Sequence, residues 1–217
     1  MRHYLVKESS DEDVGKTYPQ SQKIILPKGK TVKDPAFVWN VQFCKIPDFE
    51  PILGTIKVEN SAKLTDLISS STISNGYIIS KKLFKILGDF NLGNFIQKPV
   101  TVKFKGDYFE YYWVHIANDK STMIDFNNSN FYLIDSFSNK DSCSIKNWDE
   151  LVQIRKSASS LKKIRFDKMQ IGEFLEDCFH LNHIFYDLII SERLKNAILK
   201  NGVTGINFQN IDGWNHP

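Results

Sequence analysis

The spacing of apolar residues marks out most of the chain. Phe37, Trp39, Val41 and Phe43 fall on one face of an extended segment and predict a strand over residues 37–44. Leu64, Leu67 and Ile68 follow an i, i+3, i+4 stripe and predict a helix from Ala62 to about Ser70. Residues 99–116 read as a hairpin turning at Gly106-Asp107. Its second arm, residues 108–116, is apolar on both faces, the mark of a strand covered on both sides. Two shorter strands, residues 122–126 and 131–135, are joined through Asn127-Asn128-Ser129. Asn147-Trp148-Asp149-Glu150 forms a capping box that opens a helix running to about Lys156, burying Trp148, Leu151 and Val152. A Ser-rich loop at 157–160 precedes a further strand near residues 161–166. Residues 1–35 form a polar N-terminal segment, with an acidic run from Glu8 to Asp13.

One motif occurs twice. Tyr77-Ile78-Ile79-Ser80-Lys81-Lys82-Leu83 reappears as Leu188-Ile189-Ile190-Ser191-Glu192-Arg193-Leu194. In each copy a β-branched run supplies a strand end, and the serine caps the helix that follows. Leu83, Ile86 and Leu87 make one apolar helix face; Leu194, Ala197 and Ile198 make its counterpart, and Gly202 closes the second helix. A strand follows each helix, over residues 94–100 or 205–208. Strands and helices mix without strict alternation, so the expected class is α+β: a mixed sheet with packed helices, built as two related strand–helix–strand lobes. The expected organisation is one domain over residues 1–217, with lobes at 36–105 and 106–211.

Composition narrows the function classes. With 217 residues the chain is long enough for a core without a disulfide or metal staple, and 16 Phe, 8 Tyr and 4 Trp exclude a disordered chain. No stretch approaches the ~18 apolar residues of a membrane span, and the first residues carry no secretory h-region. Three widely spaced cysteines, Cys44, Cys143 and Cys178, fit reduced thiols, so the expected location is the cytoplasm. A net charge of +3 and only four arginines argue against nucleic acid and phosphate as partners.

The segment from Leu188 to Phe208 resembles the C-terminal signature of a bacterial polymorphic-toxin immunity family, the Myxococcus-type immunity domain. That pattern is an apolar strand, Ser191-Glu192-Arg193-Leu194-Lys195 opening a helix, then Gly202-Val203-Thr204-Gly205 before a strand with Phe208. Leu64-Thr65-Asp66-Leu67, Ile79 to Leu83, Val114-His115-Ile116, Ile124-Asp125-Phe126 and Cys178-Phe179-His180-Leu181 are similar too, over roughly residues 60–211. The family commonly has Arg where His180 stands. The resemblance implies a non-enzymatic cytoplasmic protein that binds a cognate toxin domain and blocks it stoichiometrically, with no cofactor.

Catalytic signatures are absent: there is no phosphate-binding G-x-x-x-x-G-K-[ST], no G-x-S-x-G, no H-E-x-x-H and no C-x-x-C. The alternative is an enzyme or metal-binding protein with a site near Asp177, His180 and His183. On a helix the two histidines would share a face; in a strand they would diverge. A general protein-binding scaffold is the third reading. The partner-binding candidates are acidic: Asp11, Glu12 and Asp13 near the N-terminus, and Glu173, Glu176 and Asp177 around the apolar anchor Phe174.

Overall fold

The structure, a computed structural model, describes residues 2–10, 12–157 and 162–215. The strands are β1 (His3–Glu8), β2 (Ser21–Ile25), β3 (Thr55–Val58), β4 (Leu67–Ile68), β5 (Tyr77–Ser80), β6 (Phe95–Phe104), β7 (Asp107–Ile116), β8 (Ile124–Ile134), β9 (Lys140–Cys143), β10 (Lys163–Ile171), β11 (Cys178–Phe179), β12 (Ile189–Ser191), β13 (Ile206–Asn210) and β14 (Trp214–Asn215). The helices are α1 (Lys81–Leu87), α2 (Trp148–Ser157) and α3 (Glu192–Lys200). Among the described residues the strands form three sheets, in the orders β2-β3-β6-β7-β5-β4, β11-β12-β1-β13 and β14-β10-β8-β9. The fold is therefore predominantly β, which corrects the α+β expectation. The three helices have only 7, 10 and 9 residues and decorate sheets rather than form a layer.

Two misread segments account for part of the difference. The helix expected over 62–70 is loop plus β4. Leu67 and Ile68, adjacent in sequence, enter different cores: Leu67 packs with Ile79 and Ile190, Ile68 with Ile56 and Trp113. Opposite facing of neighbours is the period of a strand, not of a helix. Gln20 then reaches across, its Nε2 donating to Thr65 Oγ1 at 2.9 Å and its Oε1 accepting from the Ser69 N–H at 3.0 Å, so buried polar groups are satisfied from another segment. The strand expected over 37–44 is instead a 3-10 turn, Val38–Asn40. Its amides bond locally, Asn40 N–H to Phe37 O at 2.8 Å and Val41 N–H to Val38 O at 3.2 Å, which buries Phe37, Val38 and Val41 and leaves Trp39 at the surface.

The hairpin and the capped helix form close to where the pattern placed them. β6 and β7 pair antiparallel along their full length, turning at Lys105-Gly106, one residue before the expected Gly106-Asp107, where both residues have positive φ (49° and 97°). A primed two-residue turn needs that conformation, which explains glycine there. The start of the second arm is exposed at Tyr108 and Phe109 rather than covered on both sides. The Asn147 side chain caps α2 by accepting from the Glu150 N–H at 2.9 Å. The strands expected at 122–126 and 131–135 are one strand, β8, whose pairing with β10 slips near Asn130. The Ser-rich loop lies mostly outside the described residues. Residues 3–8 of the polar N-terminal segment form β1, between β12 and β13 in the second sheet. No helix among the described residues is long and apolar enough to cross a membrane.

The repeated heptapeptide corresponds to two equivalent motifs. β4 pairs with β5 as Leu67↔Ile79, and β11 with β12 as Cys178↔Ile190, a constant offset of 111 residues. β5 then pairs with β7, and β12 with β1, so the N-terminal strand fills in the second motif the place that β7 fills in the first. Ser80 caps α1 by accepting from the Leu83 N–H at 3.2 Å, and Ser191 caps α3 from the Leu194 N–H at 3.3 Å. Each serine hydroxyl also donates at 2.6 Å to an aspartate fourteen residues earlier, Asp66 or Asp177. The same aspartates bind the cation two residues past the serine, Lys82 or Arg193. Their remaining bond crosses over: Asp66 accepts from the Thr204 N–H after α3 at 2.9 Å, and Asp177 from the Asn91 N–H after α1 at 3.0 Å. Each carboxylate thus ties the start of its own helix to the far end of the other. Between them lies an apolar cavity of about 40 Å³, lined by Leu67, Ile79 and Leu83 and by their equivalents Cys178, Ile190 and Leu194.

Candidate functional site

A larger, polar cavity of about 290 Å³ opens where the second sheet meets the six-stranded one. The end of β1 brings Lys7 and Glu8 into it, anchored by the Val6 N–H donating to Leu188 O at 2.8 Å. Loop 73–76 and Tyr77 close one side; residues 180–187 supply His180, Tyr186 and Asp187 on another. Trp113, fully buried in β7, holds the loop by donating from Nε1 to Asn75 O at 3.0 Å. Phe43 packs its ring edgewise on His180 at 4.6 Å and tilted against Tyr186 at 5.8 Å. The rings of Tyr18 (49% exposed) and Tyr186 (64%) stand at the mouth.

The charges inside are unevenly matched. Lys7 is ion-paired with Asp187. Glu8 faces only a hydroxyl, Tyr18 Oη donating to its Oε2 at 3.3 Å, and no ion pair to it occurs among the described residues. Burial, reinforced by the nearby Asp187 charge and offset in part by the Tyr18 bond, raises the Glu8 carboxyl to about 7. Burial lowers His180 to about 4, and it also depresses His115. Both rings are committed to backbone carbonyls, His115 Nε2 to Lys45 O at 2.9 Å and His180 Nδ1 to Asp187 O at 3.3 Å. Near neutral pH, Glu8 is therefore the group in the cavity poised to change charge.

That has a consequence for stability. An unfolded carboxyl ionises near 4.5, so between about pH 4.5 and 7 the folded chain holds a proton that the unfolded chain has released. Stability from this group falls as pH rises through that window and is constant above it. His180 acts with the opposite sign, its contribution being present above 6.5 and lost as pH falls through about 4. Glu8→Gln removes only the first effect. The variant should melt higher than the wild type at pH 8, by roughly 3–8 °C, and within about 1 °C of it at pH 4. Parallel melting curves of the two proteins across this range would refute a half-buried, proton-holding Glu8.

The acidic candidates end in different situations. Asp11 lies outside the described residues. Glu12 and Asp13 are exposed on a 3-10 turn, where Lys63 Nζ donates to Glu12 O at 2.8 Å. Glu173 is exposed, and Phe174 is half-buried against Phe179 at 4.6 Å and His3 at 5.7 Å. Glu176 is ion-paired to Lys120; although burial pushes its carboxyl up, the lysine and backbone donors outweigh this and hold it low. Asp177 is 1% exposed and spends its carboxylate on Ser191, Arg193 and the Asn91 N–H, so it faces the interior. Glu8 belongs to the acidic run, but Tyr18, Tyr186 and Asp187 carry no local signal. Their meeting depends on contacts such as Lys7–Asp187, 180 residues apart.

The metal reading finds no geometric support. Asp177 is committed as described, and His180 lines the cavity. His183 sits at a positive φ of 66° with its ring against Trp148. Among the described residues no group of three or more His, Cys, Asp or Glu is placed to hold an ion. All three cysteines are free, and burial raises each thiol, which opposes thiolate chemistry.

A comparison with curated proteins finds no match. A family model described as "Immunity protein family (Imm11)" matches residues 5–213.

Proposed function

The chain belongs to the immunity protein family, a match that covers nearly its whole length, and from that membership we propose that it neutralises a cognate toxin domain by stoichiometric binding. The protein acts without turnover, in the cytoplasm where the toxin would otherwise do damage. A contact of roughly 800 Å² on each partner is enough to cover a toxin's cleft or fix its conformation. The observation that carries the reading, beside the family, is the cavity at Glu8. It is a concave polar recess with exposed tyrosines at its mouth, the form an anchor pocket takes in a tight interface. Its charged and titratable groups include the Glu8 carboxyl, the Lys7–Asp187 ion pair and two imidazoles tied to backbone carbonyls.

The test is rescue. Cells expressing the toxin domain encoded beside this chain should survive when the chain is co-expressed, and the two proteins should co-purify. Survival without co-purification, or no rescue at all, would reject neutralisation by binding.

A further inference from the structure

Resting on the reading of the chain as an immunity protein, we propose that the cavity receives an arginine side chain of the toxin, its guanidinium held against the Glu8 carboxylate and its plane against the aromatic rim. Three observations on the site converge. Charge complementarity comes first: Lys7 and Asp187 neutralise one another, while Glu8 has only a 3.3 Å hydroxyl bond, long for a donor to a carboxylate. Size comes second. About 290 Å³ is at the lower edge of ligand pockets, small for a nucleotide and ample for one long side chain. The rim comes third. Tyr18, Phe43 and Tyr186 line the cavity, the two tyrosines largely exposed, and aromatic rings hold a planar, weakly hydrated guanidinium better than a compact ammonium.

The protonation of the site couples to occupancy. An entering cation favours ionised Glu8, so binding releases the proton that the empty cavity holds. The other groups facing Glu8 change little above pH 6.5. Burial raises the Tyr18 and Tyr77 hydroxyls, His115 and His180 are depressed toward the neutral form, and Lys7 and Asp187 remain paired. Between pH 6 and 8 the ionised fraction of a carboxyl titrating near 7 rises about ten-fold, and the affinity for a cation should follow it.

The experiment has two arms. In the first, the full chain is titrated with ethylguanidinium chloride against matched sodium chloride, following the Glu8 side-chain carboxyl by carbon NMR. Saturable binding that lowers the Glu8 midpoint, is lost in Glu8→Gln and is weakened in Tyr186→Ala supports the proposal. No effect at Glu8 overturns it, and equal or tighter binding of ethylammonium overturns the choice of arginine. In the second arm, affinity for the toxin domain is measured at pH 6 and 8. An affinity about ten-fold higher at pH 8 for the wild type, with a weaker and pH-independent affinity for Glu8→Gln, supports the proposal. Equal, pH-independent binding of both proteins overturns it and leaves the immunity reading intact. Absence of any toxin binding overturns that reading itself.

Discussion

Asp177→Ala is expected to lower stability by about 3–5 kcal/mol, seen as a fall of roughly 10 °C in Tm. The carboxylate is 1% exposed and accepts at once from the Ser191 hydroxyl, the Arg193 guanidinium and the Asn91 N–H. Removing it strands the buried Ser191 hydroxyl, takes the acceptor from the half-buried Asn91 N–H and disconnects the start of α3 from the loop after α1. Arg193→Ala should also be costly, because the guanidinium, although 56% exposed, is the ion-pair partner of a carboxylate that is 2% exposed, and its removal leaves that buried charge to neutral donors. Asp66→Ala, at the equivalent place in the first motif, should cost less than either, since its side chain is 13% exposed and Lys82 lies at the surface. Denaturant unfolding of the three variants gives the order directly. A loss below about 1 kcal/mol for Asp177→Ala would show that the carboxylate is not the tie described.

Trp113→Ala should be comparably severe, at about 3–5 kcal/mol. The indole is fully buried in the core of the six-stranded sheet, stacks on His115 with planes 4° apart, and donates to Asn75 O. Truncation leaves a void and an unmatched carbonyl in the loop that walls the polar cavity. Gly76→Ala attacks the same contact from the other side. Gly76 has φ +96°, and a Cβ there would lie 2.4 Å from Trp113 Nε1, an atom with no room to retreat. Trp113→Phe should recover part of the loss by filling the void without restoring the hydrogen bond. Wild-type stability of Trp113→Ala in denaturant melts would contradict the packing.

The repeated motif was legible because its physics is local. A serine after a β-branched run caps a helix wherever it stands, and Ser80 and Ser191 do so with the same geometry. The β6–β7 hairpin was legible for the same reason, Gly106 marking its turn, although the turn pair is Lys105-Gly106 rather than Gly106-Asp107. Segment 62–70 was not. Its i, i+3, i+4 spacing mimics a helix, and only Gln20, from the distant segment that leads into β2, shows that Thr65 and Ser69 are bonded elsewhere. The central place of β1 was equally hidden, because half-polar residues become a core strand only when β12 and β13 lie on either side. The site follows this division. Acidity in the N-terminal run is visible as composition. That Glu8, rather than Glu12 or Asp13, turns inward is set by a cavity whose walls come from stretches scattered between residues 6 and 187. Asp177 shows the converse, an acid that pattern alone places on a surface and that burial and Arg193 place inside.

The central claim, neutralisation by stoichiometric binding, is tested most directly by titrating the purified chain into a fixed amount of its toxin domain while following toxin activity. The account predicts a linear fall that reaches full inhibition at one chain per toxin, with heat released at the same equivalence point in calorimetry. Inhibition that continues to completion at far less than one equivalent would reveal turnover and an enzyme, and activity unchanged in excess chain would contradict the immunity function.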